Sequence, residues 1–210
     1  MTRRRLTRAE KSAQTRAQLT ASARQLFLRR GFHAASLELV AEEAGFTIGA
    51  VYSRFGSKAD LFLAILDEHI DRIVAEVAQV AGVDQPLGAH AELLAGRRMA
   101  LLDREREWFP LVLEFWSHAA RDERLRREFG ARHERLVGAY AGLIEADYAR
   151  LGLPLPLAPE VLARAVVAMG NGVALERLAD PGRVPDGLLS TMAVAFLRGV
   201  AADGPAERRS

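Results

Sequence analysis

Cysteine is absent from the 210 residues, so neither a disulfide framework nor a thiolate metal site can form. Missing too is any uninterrupted apolar run near the ~20 residues that a membrane-spanning helix needs. The chain begins basic, with Arg3, Arg4, Arg5 and Arg8, but no apolar stretch follows to make a secretory signal. A cytoplasmic protein without a membrane partner is the expectation. Enzyme signatures are missing as well. Gly170-Asn171-Gly172 lacks the third Gly and the preceding strand of a dinucleotide loop. No Gly-x-Ser-x-Gly elbow occurs, and the remaining nucleophiles have no obvious base beside them. No catalytic residue and no cofactor is therefore expected. Glu114 and His118 stand four apart, as do His118 and Asp122, so a metal is geometrically possible there. A lone His on such a helix is more often a solvated or core residue, and no metal is expected.

What is present reads as an ordinary globular composition, 50% hydrophobic and 27% charged, on a chain long enough to bury a sizeable core. The net charge of +2 hides an asymmetry. Residues 1–60 carry eleven Lys and Arg against five Asp and Glu, whereas residues 61–210 carry eighteen against twenty-two. A basic head on an acidic body points the head toward a polyanion. The arm of Arg3, Arg4, Arg5 and Arg8 has no apolar periodicity. It reads equally as a DNA-contacting arm and as a solubilising tail.

From Ala13 to Arg30, Leu19, Ala23, Leu26 and Phe27 recur at helical spacing, and Gly31 ends the pattern. Ser36 then caps a short helix running to Ala44, with Leu37, Val40, Ala41 and Ala44 toward a core. Gly45 closes it, since Gly tolerates the left-handed conformation at a helix C-terminus. Thr47 caps the next helix, where Val51 and Phe55 share an inward face. That leaves Thr47, Ile48, Ala50, Tyr52, Ser53 and Arg54 largely outward, with Gly49 letting a partner approach the backbone. Two short helices joined by a Gly-containing turn make a helix-turn-helix, whose second helix enters the DNA major groove.

The run Leu26-Phe27, Gly31-Phe32, Ser36, Val40-Ala41, Ala44-Gly45, Thr47, Gly49, Val51-Tyr52, Phe55, Ser57-Lys58 and Leu61 closely resembles the DNA-binding domain of TetR-family transcriptional regulators, over roughly residues 12–66. Leu39 departs from the pattern, where the family often has a polar residue. The resemblance implies an all-α protein. Residues 1–60 would form a helix-turn-helix head of three short helices plus a connector's start, and residues 61–210 a helical bundle that binds a ligand and dimerises. It implies that Tyr52 and Lys58 hold DNA phosphates, the DNA-facing set being Ser36, Thr47, Ile48, Gly49, Ala50, Tyr52, Ser53, Arg54 and Lys58. In function it implies a ligand-responsive repressor, released from a pseudo-palindromic operator on double-stranded DNA by an apolar or aromatic small molecule. The rival reading is a helical small-molecule-binding protein or enzyme without regulatory DNA binding.

The body continues the helical pattern. Ser57 begins a helix through Leu61, Phe62, Ile65, Leu66, Ile70, Ile73, Val74 and Val77 to about Val80, long enough to connect head and body. Gly82 to Gly88 reads as a loop, and further helices are expected over about 89–104, 108–116, 122–151, 160–178 and 186–201. Trp108-Phe109-Pro110-Leu111-Val112-Leu113-Glu114-Phe115-Trp116 is the densest apolar stretch. Such residues pack a core or wall a cavity between helices. The family builds its ligand cavity from this region, which nominates Trp108, Phe109, Leu113 and Trp116 for a pocket, with Glu114, His118 and Asn171 to orient a ligand. The last two helices carry few charges. They could be ordinary core, but the resemblance favours a homodimer seam of Leu162, Val166, Met169, Val173, Met192 and Phe196.

Overall fold

A computed structural model describes residues 7–81, 87–104 and 106–202. Among the described residues it holds nine helices and no strand: α1 (Arg8–Ala34), α2 (Leu37–Ala44), α3 (Ile48–Phe55), α4 (Lys58–Ala81), α5 (Leu87–Arg104), α6 (Trp108–Ala119), α7 (Glu123–Arg150), α8 (Pro159–Ala179) and α9 (Leu188–Ala202). The all-α expectation holds. Arg3, Arg4 and Arg5 lie outside the described residues, as does most of the expected loop over Gly82–Gly88.

Local chemistry sets the helix ends. At the start of α1 the Glu10 amide donates to the Thr7 hydroxyl (3.2 Å), while the Thr7 amide donates to the Glu10 carboxylate (2.7 Å). This reciprocal box satisfies two donors that a helix start leaves open, and it begins α1 five residues before the expected Ala13. Gly31, with φ of 76°, kinks α1 near its end, and one further turn continues to Ala34. Ser36 caps α2 by accepting from the Leu39 amide at 3.3 Å. Gly45, at φ 70°, ends α2 in a left-handed turn in which Phe46 N–H reaches the Ala41 carbonyl (2.9 Å) and Gly45 N–H the Glu42 carbonyl (3.1 Å). Pro159 opens α8 in its first turn, where the missing amide hydrogen costs nothing.

The chain divides into two compact units, residues 1–69 with 111–129, and residues 70–110 with 130–210. Both this boundary, after residue 69, and the divide expected after residue 60 lie within α4, and residues 111–129 of the later chain join the first unit. In the first unit, Leu19, Ala23, Leu26 and Phe27 of α1 are buried with Val40, Val51, Phe55, Leu61 and Phe62. Phe115 of α6 stacks on Phe62 with centroids 4.2 Å apart and meets Phe32 edge-on at 5.1 Å. Such aromatic pairs add to the energy of area burial. Within the second unit α5 packs on α9, and α8 packs on both. One of its cores joins Val137, Ala141, Ile144 and Tyr148 of α7 to Leu162, Ala163 and Val167 of α8. Another sets Ala95 of α5 against Val173 of α8 and Leu189 of α9.

Candidate DNA-recognition face and ligand cavity

The recognition helix is built from its two ends inward. Thr47 accepts from the Ala50 amide at 3.3 Å, and Gly56, at φ 68°, lets its own amide return to the Tyr52 carbonyl. Val51 and Phe55 are buried, which anchors one face of α3 in the first unit's core. The opposite face stands clear: Tyr52 is 50% exposed, and Thr47, Gly49 and Ser53 are exposed. Ile48, Ala50 and Arg54 are half-buried, so the outward set is narrower than expected. Arg54 spends part of its guanidinium on α3 itself, donating to the Ala50 carbonyl at 3.1 Å. Arg16 of α1 ties the end of α3 down, donating to the Arg54 carbonyl (3.3 Å) with its guanidinium 4.6 Å above the Phe55 ring. Ser36 sits half-buried as the α2 cap, its hydroxyl engaged by the helix. Leu39 is half-buried.

Lys58, expected to hold a phosphate, has its ammonium engaged within the head. Its ammonium donates to the carbonyls of Phe32 (2.8 Å), His33 (3.1 Å) and Ala35 (2.9 Å) and lies 4.6 Å from the Phe32 ring centre. An ammonium has three donors, and all three are taken. Lys58 thus closes the carbonyl end of α1, where a cation is favoured by the helix dipole. Burial lowers its pKa from the ordinary lysine value. The position that opposes the dipole of α4 complements the dipole of α1.

A cavity lies in the second unit, lined from α4, α5, α7, α8 and α9. Its cavity volume is about 60 Å³, and it opens to solvent at one side. The walls are largely aliphatic, among them Leu94, Ile144, Val167 and Leu197, with His90, Arg98, Tyr140, Asp147 and Asn171 as the polar groups. Two of these are paired. His90 Nδ1 lies 2.9 and 2.7 Å from the two Asp147 carboxylate oxygens, and Arg150 donates to Asp147 at 3.1 Å. Burial raises the Tyr140 phenol above its ordinary pKa, so it stays protonated.

Of the seven residues expected around a pocket, only Asn171 lines this cavity. Trp108 and Phe109 are buried, and Leu113 is half-buried. Trp116 is 56% exposed, because Leu111, Phe115 and Ala119 take the inward face of α6. Glu114 turns instead to the α1 kink, accepting from the Phe32 amide at 2.8 Å. His118 is exposed beside His33, with ring centroids 5.9 Å apart. No set of three or more His, Asp or Glu among the described residues is placed to hold a metal ion. Arg98, Tyr140 and His90 were missed. Their polar types within an apolar helical pattern were the available signal, but spacing along one helix does not show that five helices converge.

The expected dimer residues also face inward. Leu162 and Val173 are in the second unit's core, Val166 lines the cavity, and Met169, Met192 and Phe196 pack against core clusters. The outward apolar residues of α8 are Val161, Leu175 and Leu178, at 53, 54 and 43% exposure.

Residues 19–65 match bacterial regulatory proteins of the tetR family, and residues 89–202 match the C-terminal part of BetI-type transcriptional repressors. The transcriptional activator FasR of Mycolicibacterium smegmatis is 41% identical over 64 residues, 30% of this chain and 29% of FasR, so the chain spans under a third of that relative's length. The transcriptional repressor BepR of Brucella suis is 26% identical over 172 residues, 80% of this chain and 82% of BepR. The solved structure of Salmonella enterica GusR shares the fold, with a TM-score of 0.75 at 19% identity over 95% of this chain and 100% of that one. With its helix-turn-helix and its helical C-terminal part both matched, the chain belongs to the TetR family of bacterial transcriptional regulators.

Proposed function

We propose that the protein is a ligand-responsive repressor acting as a homodimer on a pseudo-palindromic operator. The observation that carries this reading is the α3 face. Thr47, Gly49, Tyr52 and Ser53 are exposed on a helix anchored from behind by Val51 and Phe55, on a head with net positive charge. Phosphate contacts would come from the Tyr52 hydroxyl, and Ile48 and Ala50 would offer apolar contact to base edges. A two-fold dimer presents two such helices to successive major grooves.

The outward apolar stripe of α8, through Val161, Ala168, Gly172 and Leu175, supports the dimer. These residues recur at helical spacing on one exposed side, and apolar patches of this kind mark interfaces. The cavity supplies the effector site. A ligand that binds one arrangement of the second unit more tightly than another shifts the population and with it the DNA affinity. The test is an electrophoretic mobility shift of full-length protein on the DNA flanking its own gene, with transcription measured from the same promoter. A discrete complex that resists excess random DNA, together with lowered transcription, is the expected result. Equal affinity for random DNA would refute sequence-specific regulation, and raised transcription would make the protein an activator.

A further inference from the structure

The polar groups of the cavity do not balance one another. Asp147 has two basic partners, His90 and Arg150. Arg98, on the α5 wall, has no carboxylate partner among the described residues. Its side chain makes one long hydrogen bond, to the Asn171 amide oxygen at 3.5 Å, and its electrostatic neighbour is the Tyr140 phenol. A guanidinium carries five N–H donors and stays charged at any physiological pH, so most of its hydrogen-bonding capacity is unspent. Partial burial lowers its pKa from the ordinary arginine value, and the Tyr140 phenol opposes that shift. Arg98 is half-buried, and its unspent donors open onto the cavity it lines. Around it the walls are aliphatic: Leu94, Ile144, Val167 and Leu197.

We propose that Arg98 and the Tyr140 hydroxyl receive the anionic head of an otherwise apolar ligand, a monocarboxylate on an aliphatic or aryl-aliphatic body. The fork of the guanidinium matches a carboxylate through two parallel N–H donors, and the protonated Tyr140 adds an O–H donor. The aliphatic walls take the body of the ligand. This deepens the reading of the cavity as an effector site and rests on it for the regulatory consequence, but the binding itself needs no DNA.

Titration calorimetry on the full chain tests it, using octanoate and 4-phenylbutyrate beside the neutral octanamide and 4-phenylbutyramide. The two acids separate aliphatic from aryl bodies while sharing the head. The wild type is expected to bind at least one acid about tenfold or more tighter than its amide, as for a hydrogen bond to a charged group. R98Q should lose that preference while keeping its amide affinity, and R98K should retain part of it. Melting of the ligand-free variants guards against a folding artefact. Because Arg98 is half-buried and has no carboxylate partner among the described residues, R98Q should melt close to the wild-type temperature. Equal binding of acid and amide, unchanged acid binding by R98Q, failure of both acids to bind at millimolar concentration, or a large drop in R98Q melting temperature each overturns the anion site. Separately, Arg98-dependent acid binding that leaves a preformed operator complex intact would refute the regulatory reading while the anion site stands.

Discussion

Replacing Lys58 with Met keeps the length of the side chain and removes the ammonium. Three carbonyl acceptors, those of Phe32, His33 and Ala35, lose their donor together, at contacts of 2.8, 3.1 and 2.9 Å. One hydrogen bond from a charged donor contributes about 1.5–3 kcal/mol. Three from a single ammonium do not triple this, since the cation is desolvated only once. The contact with the Phe32 ring adds about 0.5–1 kcal/mol. Lys58 is only half-buried, so water replaces part of what is lost. A net destabilisation of about 2–3 kcal/mol remains, which at roughly 2–4 °C per kcal/mol for a chain of this size lowers the melting temperature by about 4–12 °C. Calorimetric melting measures this, and operator titrations at several salt concentrations provide the second axis. A structural cap leaves the slope of log affinity against log salt unchanged, whereas a phosphate contact would flatten it by about one unit. Melting within a degree of wild type combined with a flattened slope would refute the cap and restore the phosphate role.

Gly31→Ala should be destabilising by about 1–3 kcal/mol in the same melting assay, since Gly31 has φ of 76° and an added Cβ would lie 2.8–2.9 Å from the Glu114 carboxylate oxygens. Adding Glu114→Ala should relieve the clash but not the backbone strain, so full recovery would show that φ is not strained. Leu175→Arg places an uncompensated charge on the exposed α8 face and should leave a folded monomer by sedimentation, with operator binding lost; a dimer at micromolar concentration would exclude that face from the seam. Tyr52→Phe should weaken every operator variant equally, by about 1.5–3 kcal/mol for a lost hydrogen bond to a charged phosphate. Ile48→Ala should cost about 1–3 kcal/mol on the matched operator and little once the thymine it reads is replaced; an equal loss on all operators would show that Ile48 does not read sequence.

Much that is governed by neighbours in sequence was legible in advance, though the Thr7–Glu10 box that starts α1 was not. The end of α2 at Gly45, the cap at Thr47, the break at Gly31 and the inward pair Val51 and Phe55 follow from hydrogen bonds and side-chain spacing within one helical turn. The charge contrast between head and body needed only counting. Together with the ordered run of Gly and aromatic positions, this was enough to place the helix-turn-helix and the all-α architecture.

Tertiary structure decided what depends on partners far along the chain. Lys58 reaches carbonyls 23 to 26 residues earlier, so its charge serves a different helix from its own. Helix α8 carries small and apolar residues on nearly every side, and such a helix does not declare from its pattern which side is core. Packing against α5 and α9 put Leu162, Val166 and Val173 inside and left Val161, Leu175 and Leu178 outside. In α6 the aromatic wealth promised a cavity wall, but Phe62 and Phe32 claimed Phe115, and the helical period then turned Trp116 outward. The cavity's polar groups come from α5, α7 and α8, with Arg98 separated from Asn171 by 73 positions. Only the folded bundle brings them to one space, because side-chain spacing reports faces within a helix and carries no information on which helices meet.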